Sequence, residues 1–76
     1  MLTVVIYMLI VSEIGKEHNV KKALEKISGV TEARTVYGEF DLVARLETSS
    51  LKDVDNAVTD MRKIDGIIRT ATLISA

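Results

Sequence analysis

Glu39 and Asp41 flank Phe40, the only phenylalanine in the chain, directly after Gly38. Two carboxylates two residues apart on a strand or turn can share a face, as general acid–base chemistry requires. The competing reading is a pair of solvated turn acids. Little else supports catalysis. The single histidine, His18, has no His or Cys partner at ligand or relay spacing and no H-x-x-x-H motif, so it reads as a surface residue. No G-x-S-x-G, P-loop or G-x-G-x-x-G is present. The absence of cysteine removes disulfides, zinc thiolates and thiol catalysis, and fits a reducing cytoplasm. The expectation is a non-enzyme with no cofactor and no metal site.

The 76 residues suffice for one domain, taken as residues 1–76. With 47% hydrophobic and 28% charged residues the chain reads as folded. Its mean hydropathy of +0.22 is high for so short a chain, which points to apolar surface hidden against other copies. Net charge is −1 and the Lys and Arg residues are scattered, so a nucleic-acid surface is not expected. Residues 2–11 are nearly all apolar, but span only about half a membrane-crossing length and lack the basic flank of a signal peptide.

The elements that must position Glu39 and Asp41 follow from periodicity. LTVVIYMLIV (2–11) is apolar on both alternating faces and predicts a central strand. Val20, Ala23, Leu24 and Ile27 stripe a helix over 16–28, closed by Gly29. Residues 30–37 and 40–47 read as strands, with Gly38-Glu39 between them. Ser50, with Asp53 three residues on, resembles a capping box for a second helix striped by Leu51, Val54, Val58 and Met61. Residues 67–74 form a last strand.

KISGV (26–30) and KIDGI (63–67) repeat the same helix-to-strand passage. A β-α-β unit used twice predicts a ferredoxin-like α+β fold, βαββαβ, with a four-stranded antiparallel sheet and two helices on one face. The first and third strands are then central. Only one face of the first strand gains cover, so the other is expected to pack against a second copy. A copper-chaperone version of this fold needs C-x-x-C where Ser12-Glu13-Ile14-Gly15 stands. A single-stranded RNA binder needs aromatics on the central strands, where Tyr7 is alone and reads as packing.

Gly38 suits the first position of a two-residue type II′ turn. Alternation then points Phe40 and Leu42 at the helices and Asp41 at the open face. A carboxylate at that seam needs a cation. Arg45 lies four residues along the same face, too far for a direct neighbour, which leaves another subunit or a ligand.

VYGEFDLVARLE (36–47) followed by MRKIDGIIRTATLI (61–74) resembles the effector-binding (RAM) domain of the Lrp/AsnC regulators. That family's pattern is G-x-[YF]-D-[LV] at the hairpin, then I-x-x-[IL]-x-G-V and T-x-T. Gly38, Phe40, Asp41 and Leu42 match the first part. Ile64, Gly66, Ile67, Thr70 and Thr72 match the rest, with Met61 replacing the first Ile. The resemblance covers essentially the whole chain. Without a helix-turn-helix ahead of the first strand, the chain resembles the stand-alone form, for which DNA binding is not implied.

The resemblance implies dimers joined through their sheets, dimers assembled into rings, commonly octamers, and an amino acid bound between dimers beside the hairpin. In such a site Asp41 takes the ligand ammonium, and the backbone N–H groups of Gly38, Glu39 and Phe40 take its carboxylate. Gly38 permits close approach. Thr70 and Thr72 complete the pocket, or are ordinary strand residues. Asn56 and Asp60, one helical turn apart, reach it from a neighbour or are simply solvated. Glu39 occupies a variable position that tunes selectivity. The function implied is a non-catalytic oligomeric module for small amino acids or related metabolites, acting on full-length regulators through mixed rings. The alternatives are a purely structural interaction module with a vestigial pocket, a dimeric monooxygenase-like enzyme, and an ACT-type amino-acid-binding domain. The helix-facing positions offer the enzyme no working polar residue, and the G-x-F-D hairpin argues against the ACT type.

Overall fold

VVIYMLIVS forms β1 (Val4–Ser12), the strand against which both neighbouring strands are built. The computed structural model describes residues 3–76, so Leu2, assigned to this strand by its sequence, lies outside the described residues. Along the chain follow α1 (Glu17–Glu25), β2 (Val30–Thr35), β3 (Leu42–Thr48), α2 (Leu51–Arg62) and β4 (Ile67–Ile74). The sheet order is β2-β3-β1-β4, all antiparallel, so β1 and β3 are central as expected of the ferredoxin-like fold.

Alternation along β1 is sharp. Ile6, Met8 and Ile10 are buried, together with their register partners Leu46, Ala44 and Leu42 on β3. Val20 and Leu24 of α1 and Val54, Ala57 and Met61 of α2 close this core from one side. The other side carries Val5, Tyr7, Leu9 and Val11 beside Val43, Ala71 and Leu73, all at least partly exposed. Apolar helix stripes dock on the even-numbered face of β1, and nothing among the described residues covers the odd-numbered one. Leu51, assigned to the α2 stripe, is 62% exposed, and Ala57 takes the buried position in its place. As the first residue of the helix, Leu51 lies beyond the edge of the sheet's cover.

The two repeats fold alike to the level of single hydrogen bonds. After α1, Lys26 and Ile27 donate to Ala23 and Leu24, and Val30 donates to Ile27. After α2, Lys63 and Ile64 donate to Asp60 and Met61, and Ile67 donates to Ile64. These i→i−3 bonds tighten each helix end earlier than the apolar stripe alone implies, so α1 stops at Glu25 rather than at residue 28. Gly29 and Gly66 then turn the chain at φ +93° and +100°. Ser50 caps α2 by accepting the Asp53 amide at 3.3 Å. The reciprocal arm of the capping box is redirected, because the Asp53 carboxylate accepts from the Ser49 hydroxyl instead.

The hairpin departs from the two-residue type II′ expectation. β2 ends at Thr35 and β3 begins at Leu42. The Val36 amide donates to the Asp41 carbonyl at 2.8 Å, which closes a four-residue loop, Tyr37–Phe40. The cause is Asp41, whose amide donates to the Ile10 carbonyl at 2.8 Å and is tied to β1 rather than to a tight turn. Phe40 accordingly precedes the strand and escapes its alternation. It is half-buried outside the core, with the Arg69 guanidinium 5.8 Å from its ring centroid.

A methyl group at Gly66 would meet Lys16 and Val20 atoms at 3.0–3.1 Å, whereas one at Gly38 (φ +130°) would meet nothing within 4 Å. Both alanine variants carry backbone strain of about 1–2 kcal/mol, and Gly66→Ala adds an overpacking cost of about 1–3 kcal/mol. Gly66→Ala is therefore expected to lower Tm more than Gly38→Ala, at about 4–8 °C per kcal/mol for a domain of this size. Equal shifts in differential scanning calorimetry would contradict the crowding at Gly66.

Candidate functional site

Asp41 joins the hairpin to the end of β1. Its Oδ2 accepts the Ser12 backbone N–H at 2.9 Å, and the side chain is half-buried. A carboxylate on a backbone amide is a charge-assisted bond that fixes the side chain's direction. None of the ion pairs among the described residues involves Asp41. Arg45 instead pairs with Glu47 and meets Tyr7, its register neighbour on the open face, and these contacts raise its pKa, the Glu47 bond most. Asp41 is thus a carboxylate with its geometry set and no cation among the described residues.

A concavity of about 220 Å³ opens beside it, lined by Glu17, Thr35, Val36, Tyr37 and Asp41. Glu17 begins α1, and its carboxylate accepts the Gly15 amide at 3.3 Å. The topology brings these residues together: α1 starts at the end of the sheet where β2 finishes and β3 begins. Tyr37 stands fully exposed at the rim. The amides of Gly38, Glu39 and Phe40 donate to no protein acceptor among the described residues. Two carboxylates and an aromatic side chain therefore frame a small hollow of mixed character, with the hairpin amides next to it in the chain. Ser12, Glu17 and Tyr37 are the site members that sequence reasoning missed. The β-α-β order held the signal, since it forces the start of α1 and the end of β2 to one end of the sheet.

The remaining sequence-predicted residues lie elsewhere. Thr70 and Thr72 pair in register with Ile10 and Met8 and so share the helix-side face of β4. The Thr72 hydroxyl donates to the Met8 sulfur at 3.0 Å. Asn56 and Asp60 line a separate concavity of about 300 Å³ with Ser28, Asp53 and Ala57. That hollow lies at the opposite end of β3, because Ser28 precedes Gly29, whose carbonyl holds the Glu47 amide. Within one chain, then, Gly38, Glu39, Phe40 and Asp41 cluster, while Thr70 with Thr72 and Asn56 with Asp60 form two further groups.

A four-stranded antiparallel sheet with two helices on one face defines a ferredoxin-like α+β domain, here with a small hollow beside one hairpin. Residues 7–76 match the model of the Lrp/AsnC ligand binding domain, and the chain belongs to that family. It is 33% identical over 60 residues to an uncharacterised HTH-type transcriptional regulator of Pyrococcus abyssi, a match covering 78% of this chain and 40% of that protein. The chain thus spans about half the length of that regulator. A hypothetical protein of Pyrococcus horikoshii superposes with a TM-score of 0.89 at 40% identity, covering 96% of this chain and 89% of that one. A protein of Thermus thermophilus gives 0.92 at 26% identity, covering 96% and 92%.

Removing the Asp41 carboxylate should cost about 1.5–3 kcal/mol of unfolding free energy in Asp41→Ala, the range for a hydrogen bond to a charged group. Ser12→Ala should be neutral or stabilising, because the bond uses the Ser12 backbone and its buried hydroxyl has no partner among the described residues. Urea unfolding of the two variants checks both signs.

Proposed function

We propose that the chain is a non-catalytic, self-associating sensor module that binds a small amino acid, or a metabolite of the same zwitterionic chemistry, beside the β2–β3 hairpin. The observation that carries this reading is Asp41, oriented by the Ser12 amide at 2.9 Å and left without a cation among the described residues. A ligand ammonium supplies that cation, drawn by the Glu17 and Asp41 charges together. The free amides of Gly38, Glu39 and Phe40 suit the ligand carboxylate, and Tyr37 suits its side chain. The hollow of about 220 Å³ is below the usual range for drug-sized ligands, as a free amino acid requires. Membership of the Lrp/AsnC ligand-binding family supports the same reading.

The open sheet face completes the proposal. Val5, Leu9, Val11, Val43 and Ala71 with the more exposed Tyr7 and Leu73 form one apolar surface, which a second copy covers in a dimer. Dimers joined into rings, up to octamers, bring Thr70, Thr72, Asn56 and Asp60 of one copy towards the hairpin of another, the route by which those residues enter a shared site. Mixed rings with full-length regulators then carry occupancy to transcription. The apolar face equally favours a second reading, in which the module only assembles and its hollow is vestigial.

Thermal melts against each of the twenty amino acids at millimolar concentration separate the two. A ligand at ten times its Kd stabilises the fold by about 1.4 kcal/mol, a shift of several degrees here. A response to a few related amino acids, lost in Asp41→Asn, is expected; a flat response across all twenty leaves the assembly-only reading. Leu9→Lys, by placing a charge in the open face, is expected to dissociate the dimer in sedimentation velocity without unfolding the chain.

A further inference from the structure

The sheet has two edges of opposite character. β2 (Val30–Thr35) is six residues long, carries Glu32 and Arg34, and slips register between Val30 and Glu32, the features by which edge strands resist pairing. β4 (Ile67–Ile74) is eight residues long, β-branched in five of them, and has one charge, Arg69. Nothing among the described residues covers its outer side, and Ile68 and Ile74 are 64% and 54% exposed.

The sequence of β4 is nearly a palindrome about Ala71. Reading outward from it, Thr70 mirrors Thr72, Arg69 mirrors Leu73 and Ile68 mirrors Ile74. A palindromic strand is what antiparallel pairing of a strand with its own copy uses, because a two-fold axis sets residue 71−n opposite residue 71+n of the other chain. The hydrogen-bond phase agrees. The Ser75 amide donates to the Val5 carbonyl at 2.9 Å, continuing the register Ile6↔Ile74. In an antiparallel ladder bonded pairs alternate, so Leu73, Ala71 and Arg69 turn their backbone groups inward to β1. Those of Thr70, Thr72 and Ile74 turn outward. An axis at Ala71 then makes Thr70 and Thr72 of opposite copies a bonded pair, twice over, with Ala71 facing Ala71 as the non-bonded pair between.

We propose that β4 is a self-complementary edge that pairs antiparallel with β4 of a second copy about a two-fold axis at Ala71, giving a continuous eight-stranded sheet. Side chains fit this register. Thr faces Thr, a favourable cross-strand pair, and each exposed Ile68, at the register slip, faces an exposed Ile74. The two Arg69 charges lie four residues apart along the strand direction, roughly 13 Å, beyond the screening length at physiological salt. The Thr-x-Thr segment acts in this contact through its backbone. The pairing uses the outward backbone groups of β4, which neither the hairpin hollow nor the open face engages, so the inference does not depend on the ligand proposal.

The test is cysteine cross-linking in a chain that has no native cysteine. Across a non-bonded antiparallel pair the Ala71 Cα atoms are about 4.5 Å apart, within disulfide reach, whereas sheets stacked face to face lie about 10 Å apart and out of reach. Ala71→Cys should oxidise to a covalent dimer, and Leu73→Cys, far from its own copy in this register, should not. Thr72→Pro removes one outward N–H, which an edge strand tolerates, and should slow cross-linking of Ala71→Cys by about tenfold or more. Amide exchange on the unmodified protein gives an independent reading: the Thr70, Thr72 and Ile74 amides should gain protection as concentration rises. Equal cross-linking of Leu73→Cys and Ala71→Cys, or exchange at those three amides that ignores concentration, would overturn the proposal.

Discussion

Strand β1 alternates between residues with almost no exposure and residues left half open, and both sets are apolar. A strand flanked on both sides has satisfied its backbone, so its remaining free energy lies in its two faces. Ile6, Met8 and Ile10 draw both helices onto one face, and their burial, at about 25 cal/mol per Å², drives the folding of the single chain. Two helices are enough for one face only. The surface formed by Val5, Tyr7, Leu9 and Val11 is a direct product of how the same strand builds the core.

Asp41 is the second constraint. By holding the Ser12 amide and donating its own to Ile10, it sews the hairpin to the end of β1 and stretches a tight turn into a four-residue loop. That stretch frees the loop amides, lifts Phe40 out of the alternation and sets Tyr37 at the rim. One aspartate thereby shapes both the hollow and its charge.

Much of this could be read from the residues. The doubled helix-to-strand passage predicted the order of elements and both central strands, because a β-α-β repeat has few ways to pack. β4 matched its predicted bounds to the residue, and alternation correctly assigned Leu42, Ala44 and Leu46 to the core. Alternation failed at Phe40 because it describes a strand, and Phe40 lies before one. The turn type failed because Gly38 reports only what the backbone permits, while the loop length is fixed by Asp41's bonds to a strand some thirty residues earlier. Glu17 and Tyr37 went unnoticed for a similar reason: neither stands in a motif, and only the topology makes them neighbours.

The Ser75–Val5 hydrogen bond has a consequence for transmission. It places the beginning of β1 and the end of β4 side by side, at the end of the sheet away from the hairpin. Nine residues of extended chain separate the two ends, about 30 Å. The chain therefore enters β1 and leaves β4 at neighbouring points, a full strand length from the hollow. Between the hollow and that end of the sheet runs the whole of β1, bonded to β3 on one side and β4 on the other. A displacement at one end of β1 would be delivered to the other along a backbone held straight from both flanks, as by a pushrod.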